Sequence, residues 1–356
     1  MDGIVDFRCE YQEYVGRKIA FTLLLLVVIM VLAIYSTTIS GREMTFWEGM
    51  DAIIGNLLGR EHPVNSSSWW DAHVVWNVTM PRVMAAVVAG AGLAACGVVM
   101  QTVLNNPLAE PFTIGVSSGA VFGASLAIVL GLSLTSGPDR YGIIVNAFIF
   151  GLIPSVVIIS LTRLAIAVTP ATMVLAGVAM SFFFSGLTTM LLVSAAEETL
   201  VEAYVWQVGS LAAMDWEGVK VMALVVLPLL VVILMFARDL NAMTCGDDTA
   251  LSLGVEPSNV RIAGLVVATL ITAVTISYTG IIGFVGLLSP HITRRFIGAD
   301  IRYLLPASLL LGAAMLLFAD TITRSIAEVD VPVGAVMMFL GSPLFIYLMV
   351  RRRTRW

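Results

Sequence analysis

Ten long apolar segments run through this chain and constrain its fold more than any other feature. A helix needs about 20 mainly apolar residues to cross a bilayer, and helices satisfy their own backbone hydrogen bonds inside lipid. The pattern predicts an all-α polytopic membrane protein with about ten transmembrane helices, of which the eighth is short and interrupted by glycines. The predicted spans are residues 18–38, 79–104, 113–131, 142–162, 171–195, 218–237, 257–279, 281–297, 303–321 and 332–350.

Composition excludes several classes of function. Hydrophobic residues make up 59% of the 356 residues and charged residues only 12%, about half the ~25% that soluble domains carry. The net charge of −5 argues against nucleic acid, because phosphates need a clustered basic surface. The three histidines and three cysteines are scattered without metal-ligand spacing. We therefore expect a lipid environment, no nucleic-acid partner and no metal site.

The distribution of basic residues predicts the orientation of the chain. With a cytoplasmic N-terminus and alternating spans, only six of the 19 Lys and Arg residues fall on the outer side, as the preference of basic residues for cytoplasmic loops requires. Both termini are then cytoplasmic, in a multi-pass protein of the plasma (inner) membrane. We expect one transmembrane domain over 1–356, with a cytoplasmic segment 1–17, an outer loop 39–78 and a cytoplasmic connector at about 240–256. The acidic segment 197–217 predicts a short amphipathic helix on the outer surface.

Two cytoplasmic connectors carry polar residues in distinctive patterns. Between the second and third spans, Pro107 interrupts the helix beside Asn106, which fits either an ordinary turn or a polar turn that closes a pore. In the other connector, Asp247 or Asp248 is placed to cap a short helix that Gly254 ends. Ala250, Leu251 and Leu253 are expected to form one apolar edge of this helix. Such a helix could either be a connector that shields the helix bundle or be an element that a partner protein pushes.

A charged pair lies near the outer end of the ninth span. Asp320 and Arg324 are four residues apart, which fits an ion pair along one helix. The alternative is an exposed arginine at the outer surface that binds an acidic partner protein.

Signatures of an autonomous energy source are missing. A phosphate-binding loop needs Gly-Lys-Ser/Thr, and the two lysines, Lys18 and Lys220, do not follow glycine. The spans also lack the runs of Asp, Glu or His that a proton relay needs. These absences count against an ion-coupled secondary transporter and against an intramembrane enzyme, the two alternatives from other classes. Active transport by this chain must draw its energy from another polypeptide.

Seven motifs in order resemble the FecCD-type permeases of ABC importers, which include permeases for vitamin B12, haem and iron-siderophores. The resemblance runs from about Thr79 to Arg352. The motifs are Met80-Pro81-Arg82, the turn from Gln101 to Gly115, Leu175 to Ala179, Trp206 to Leu211, Gly246 to Val255, Gly280 to His291, and Pro332 to Pro343.

The resemblance implies a type II ABC importer permease with ten spans. Two permease subunits, a homodimer or alternatively a heterodimer, would assemble with two cytoplasmic ATPase subunits and an external substrate-binding protein. ATP and Mg²⁺ would bind to the ATPase subunits, so we expect no cofactor and no enzymatic activity in this chain. The expected cargo is an iron-siderophore-type chelate, with cobalamin, haem or an oxyanion such as molybdate as alternatives.

The resemblance also assigns roles to residues. Asn106 and Leu108 match the turn that narrows the cytoplasmic gate. By analogy alone, Ser181, Ser185 and Thr188 in the fifth span are expected to line the translocation path.

The partner-binding residues follow in the same way. Arg82 and Arg324 match arginines that meet acidic residues of the binding protein, although Thr79 stands where some members have a further arginine. Pro170 and Ala171 stand where the vitamin B12 permease has a Thr-Ser gate, so that role is not transferred. The residues matching the helix that fits a cleft on the ATPase are Asp247, Asp248, Leu251, Leu253, Gly254 and Val255.

Overall fold

The computed structural model describes residues 2–40, 42–59, 63, 66–135, 140–164, 169–326 and 331–350. A π-helix at Val75–Thr79 joins α3 to α4, a 3-10 helix occupies Pro111–Ile114, and Ile39–Ser40 pairs with Arg42–Glu43 as a short antiparallel ribbon. The α-helices of these residues are α1 Asp2–Thr38, α2 Phe46–Leu57, α3 Ser67–Val74, α4 Met80–Val103, α5 Val116–Leu130, α6 Arg140–Leu164, α7 Pro170–Val193, α8 Glu197–Val208, α9 Trp216–Met235, α10 Ala237–Met243, α11 Asp247–Ser252, α12 Pro257–Thr279, α13 Val285–Ile297, α14 Ile301–Ile326 and α15 Val333–Val350.

Each predicted span coincides with a helix, which confirms the all-α membrane fold. Within the described ranges, seven helices are long and apolar enough to cross a bilayer. Shorter apolar helices at Val116–Leu130 and Val333–Leu348 correspond to the third and tenth predicted spans. The helix of the eighth predicted span starts later than predicted, at Val285 rather than at residue 281.

The unwound segment 280–284 has a local cause. Gly280 and Phe284 both have φ of +67°, a left-handed conformation that ends a right-handed helix. A Cβ at Gly280 would collide with the Trp206 carbonyl and lie 2.8 Å from the Gly209 Cα, so glycine is needed for this close approach. The segment thereby packs against the end of α8.

The helices alternate in direction, and two side-chain contacts show which ends lie together. Arg140 at the start of α6 pairs with Asp215 before α9, with 2.8 Å between Nη1 and Oδ2. Arg261 near the start of α12 donates to the Val103 carbonyl at the end of α4 over 2.7 Å. One end of the bundle, here named the α8 end, holds α2, α3 and α8. The opposite α11 end holds the 104–115 turn, α10 and α11.

Helix α4 forms the centre of the bundle, with nearly all of its side chains buried. Small residues allow its neighbours to approach closely. A Cβ at Gly90 would lie 2.9 Å from the Ala313 Cα on α14, and a Cβ at Gly97 would collide with the Gly286 backbone on α13. Such small-residue contacts are how helices pack tightly in lipid, where the hydrophobic effect does not drive association.

Candidate translocation and coupling sites

The 104–115 turn is closed by its own hydrogen bonds, and the end of the helix before it contacts α13. Asn105 takes a left-handed φ of +44°, and the Asn106 side-chain oxygen accepts from the Leu108 amide over 2.9 Å. Gln101, one turn upstream, accepts from the Arg294 guanidinium of α13 over 2.6 Å. Leu108 remains exposed at the tip. The geometry places both predicted gate residues in one turn, and their gating role stays a prediction.

Glu110 lies in the same turn, and its burial was not predicted from the sequence. Its Oε2 atom is buried and accepts no hydrogen bond from the described residues. Burial raises the pKa of this carboxyl from 4.5 to about 7, because a desolvated carboxylate is costly. Glu110 lies between Ala109 and Pro111 in a turn, and nothing in this local sequence indicates that its carboxyl is buried. Only the structure reveals the burial.

Helix α11 forms where it was predicted, but its cap differs. Gly246, with φ +97°, occupies the N-cap position without a side-chain cap, and Asp247 is the first helical residue. The predicted Asp cap is therefore wrong. Asp247 instead pairs with Arg261 of α12 over 2.6 Å.

The apolar edge of α11 is split between two directions. Ala250 is fully buried, whereas Leu251 and Leu253 are 51% and 65% exposed. The prediction of one shared edge is wrong, because Ala250 packs inward while the two leucines point away from the bundle. Gly254, with φ +82°, ends the helix, and the Val255 amide donates back to the Ala250 carbonyl over 2.9 Å. Asp248 lies on the exposed side.

Arg261 joins α11 to the 104–115 turn, and sequence analysis did not identify it. Its Nη2 atom donates to both carboxylate oxygens of Asp247, over 2.6 and 2.9 Å. Its Nε atom donates to the Val103 carbonyl, which directly precedes the turn that contains Asn106. The Asp247–Arg261–Val103 connection, here named the coupling link, joins α11 to the residue that precedes the turn. An arginine at the start of an apolar span was its one sequence signal.

At the α8 end, Arg82 and Arg324 share a buried counterion. Arg82 Nε donates to Asp320 Oδ1 over 2.7 Å, and Arg324 Nε lies 3.2 Å from Asp320 Oδ2. Asp320 has no exposed side-chain surface and each arginine only about 9%. Arg324 also donates to the Ser36 and Ile39 carbonyls at the end of α1. The ion pair along α14 is thus present, and the docking role of both arginines stays a prediction.

The predicted path residues separate into two groups. Ser185 and Thr188 line a cavity of about 220 Å³ between α5, α7, α8 and the unwound segment 280–284. Ser181 lies away from this cavity, near Gly115, and donates to the Gly177 carbonyl over 2.9 Å. The other lining residues are Ser118, Val121, Thr189, Leu192, Tyr204, Gln207 and Ile281.

The described residues hold no group of three or more His, Cys, Asp or Glu side chains placed to bind a metal ion. The cavity lining combines hydroxyl, amide and apolar groups without a nucleophile–base pair.

Comparisons with known proteins agree with this arrangement. The profile of the FecCD transport family matches residues 23–351. A protein of Methanocaldococcus jannaschii named as an ABC transporter permease is 39% identical, covering 99% of this chain and 100% of the relative. The hemin transport system permease protein of Yersinia pestis is 36% identical, covering 81% of this chain and 86% of the relative. A solved structure described as an inward-facing conformation of a metal-chelate type ABC transporter matches with a TM-score of 0.80 and 28% identity, covering 93% of this chain and 98% of that chain. The chain belongs to the FecCD transport family.

Proposed function

We propose that this chain is the membrane-spanning permease subunit of an ATP-driven importer for an iron-siderophore-type chelate. Its relatives include a hemin permease, and its structural match is a metal-chelate transporter, which supports a large iron complex as cargo. The chain would act as a single transmembrane domain in the plasma membrane, with both termini cytoplasmic. A second copy, two cytoplasmic ATPase subunits and an external binding protein would complete the importer.

The exposed leucines of α11, held by the coupling link, carry this proposal. Leu251 and Leu253 point away from the bundle at the α11 end, where an apolar surface is costly unless a partner covers it. The coupling link connects this surface to the turn of Asn106 and Leu108. ATP-driven movement of the partner would thus displace the turn of Asn106 and Leu108. The chain would change between two packing arrangements, and no covalent bond in it would form or break.

The proposed mechanism moves the cargo through a passive conduit. The binding protein would deliver the chelate at the α8 end, near Arg82 and Arg324. Ser185 and Thr188 would contact it along the path, and the 104–115 turn would block its exit until α11 moves. Exposed apolar side chains on α7 and α15, such as Phe182 and Phe339, are available to pack against a second copy and lipid.

The test is reconstitution in proteoliposomes with the ATPase subunit and binding protein. We expect binding protein to stimulate ATP hydrolysis and uptake of radioiron-labelled chelate. Leu253→Glu should abolish both by weakening ATPase association at least ~10-fold, whereas it should leave thermal unfolding nearly unchanged because an exposed substitution alters stability by less than ~0.5 kcal/mol.

Leu58→Glu is the matched control, because Leu58 is as exposed as Leu253 but lies at the α8 end. It should keep ATPase association intact. Uptake driven by an ion gradient without any ATPase subunit would overturn the proposal in favour of a secondary transporter.

A further inference from the structure

Helix α2 at the α8 end has one side that packs on the bundle. The buried residues of this side are small: Gly49, Ala52 and Gly55. A Cβ at Gly49 would lie 3.2 Å from the Thr37 hydroxyl at the end of α1. The Asn56 side chain donates to the Ala72 carbonyl of α3 over 3.3 Å. These contacts hold α2 against α3 and against the end of α1.

The opposite side of α2, here named the α2 face, is apolar and exposed. Its members are Phe46, Trp47, Ile54 and Leu57, of which Trp47 is 73% exposed. At 3.6 residues per turn, these four side chains project within an arc of about 100° that is centred opposite the small residues. Leu58 extends the same surface beyond the end of the helix. An apolar surface of this kind is costly in water unless something covers it.

Helix α2 lies at the level where the bundle leaves the membrane. The apolar span of α1 ends at Thr38, one residue after the Thr37 contact with α2. Arg324, near the end of α14, donates to the Ile39 carbonyl over 3.1 Å, so the end of α14 lies at this level too. Val31, two turns back along α1, is exposed and apolar, as a surface covered by lipid requires. The α2 face therefore borders a lipid-covered surface.

The α2 face needs a cover that is always present. A binding protein that delivers cargo must dock and leave, so between visits the α2 face would stand in water. The surfaces proposed above for a second copy lie on other helices, α7 and α15. The bilayer is always present, and tryptophan, phenylalanine and leucine are the side chains that enter the boundary between headgroups and acyl chains. Lipid is therefore the cover that fits this face.

The charged residues of α2 are placed as a helix on a membrane surface requires. Glu48 and Asp51 are exposed and lie outside the apolar arc, on one flank of the helix. A surface helix keeps such a flank toward headgroups and water while its apolar side enters the boundary. The Glu48 carboxylate also accepts from the Thr45 amide over 2.8 Å, which fixes the first turn of α2.

We propose that α2 is an interfacial anchor, whose apolar face inserts into the leaflet at the α8 end. Its partner is phospholipid, at the boundary between headgroups and acyl chains. The anchor holds α1 directly, and it holds α4 through α3 and the π-helix, beside the buried contact of Arg82 with Asp320. The inference needs the membrane fold but not the proposed function, because contact with lipid depends neither on a cargo nor on an ATPase.

Spin-label accessibility of the whole permease in proteoliposomes tests the anchor. The labelling background carries Cys9→Ser and Cys245→Ser, and the remaining cysteine, Cys96, is buried. Single labels are then attached at Ile54→Cys or at Leu57→Cys, both on the α2 face. Collisions of each label with O₂, which concentrates in lipid, are compared with collisions with a nickel chelate, which stays in water.

The matched control is Thr135→Cys, an exposed loop position after α5 at the same end of the bundle. We expect the ratio of O₂ to nickel-chelate accessibility to be at least ~5-fold higher on the α2 face than at Thr135, because an interfacial helix buries its apolar side ~5–10 Å deep. Equal ratios at the two places would overturn the proposal. Low accessibility to both reagents, or protection from the chelate only after binding protein is added, would assign the face to a protein partner and overturn it too.

Tryptophan fluorescence provides a second measurement that needs no cysteine variant. In bilayers of lipid brominated near the headgroup, Trp47→Phe should lower the quenched fraction of the emission, because it removes a fluorophore that contacts lipid. Trp216→Phe is the control, because the Trp216 ring packs on Trp76 with 5.4 Å between the centroids, and it should not lower that fraction. An unchanged or higher quenched fraction in Trp47→Phe would show that Trp47 lies outside the bilayer and would overturn the proposal.

Discussion

The two ends of the bundle each use an arginine–aspartate contact, but the two contacts differ in burial. At the α8 end, Asp320 is completely buried between Arg82 and Arg324 and joins α4 to the end of α14. At the α11 end, Arg261 is buried but its partner Asp247 has a side chain that is 48% exposed.

This difference indicates that the two contacts have different mechanical roles. Separating Asp320 from Arg82 or Arg324 would leave a buried charge without its partner, which is costly. Separating the coupling link costs less, because the half-exposed Asp247 carboxylate regains water while Arg261 stays bound to the Val103 carbonyl. The α8 end is therefore expected to stay fixed while the α11 end moves.

The largest effect is expected from Asp320→Ala. This change leaves two buried guanidinium groups without their shared counterion, which costs about 3–5 kcal/mol when a buried pair loses one partner. Thermal unfolding of the purified protein should show a large drop. Arg140→Ala is the control, because the Arg140 and Asp215 side chains are 42% and 44% exposed and an exposed pair contributes about 0–1 kcal/mol. Equal drops in the two variants would remove the distinction between a buried and an exposed contact.

The next effect concerns pH and the buried carboxyl of Glu110. Its pKa of about 7 lies above the value of 4.5 in the unfolded chain, so the folded state binds the proton more tightly. This contribution to stability is present below about pH 4.5 and is lost as the pH rises through about 7. Thermal unfolding between pH 4.5 and 8 should show it as roughly 3 kcal/mol, at ~1.4 kcal/mol per pH unit.

Glu110→Gln should flatten that profile. Glu48 provides a control of opposite sign at the α8 end, because hydrogen bonds from Thr45 lower the pKa of its carboxyl. Glu48→Gln should therefore lower stability at neutral pH, where the charged carboxylate contributes, and should remove the loss of stability that the unaltered protein shows as the pH falls below about 4.5. Identical profiles for Glu110→Gln and the unaltered protein would show that Glu110 is solvated.

A smaller loss of stability and a larger loss of coupling are expected from Arg261→Lys. Lysine keeps the charge but has no planar fork to reach Asp247 and the Val103 carbonyl together. Losing one hydrogen bond to a charged group costs about 1.5–3 kcal/mol. ATP hydrolysis by the assembled complex should continue while chelate uptake falls, measured side by side in proteoliposomes. Parallel loss of both activities would indicate failed assembly rather than a broken coupling link.

The smallest effect on stability is expected from Gly254→Ala. No atom lies within 4 Å of a Cβ at this position, and the φ of +82° is the sole obstacle. Left-handed backbone costs an ordinary residue about 1–2 kcal/mol. At Gly97 on α4, by contrast, a Cβ would collide with the Gly286 backbone, so Gly97→Ala should be far more disruptive in thermal unfolding. Similar losses at both positions would mean that helix packing at the centre is looser than the structure shows.

Much of the fold could be predicted because lipid imposes a simple rule. Any apolar segment of about 20 residues must form a helix to satisfy its backbone, and all ten predicted spans coincide with helices. The start of the eighth helix could not be predicted, because the unwound segment before it packs Gly280 and Ile281 against the backbone at the end of α8. The burial of Ala250 and the exposure of Leu251 on α11 could not be predicted for the same reason, since neighbouring helices decide which side of a short helix is covered.

The sequence by itself determined the class of the molecule, its spans and its family, because these depend on local hydropathy and on motif order. Only the tertiary structure decided which charges meet. Arg82 and Asp320 are 238 residues apart and Arg261 contacts the carbonyl of Val103 from 158 residues away. It also brought Ser185 and Gln207 to one cavity while placing Ser181 elsewhere. Contacts between distant segments follow from how helices pack, and packing depends on the shape of every neighbour at once.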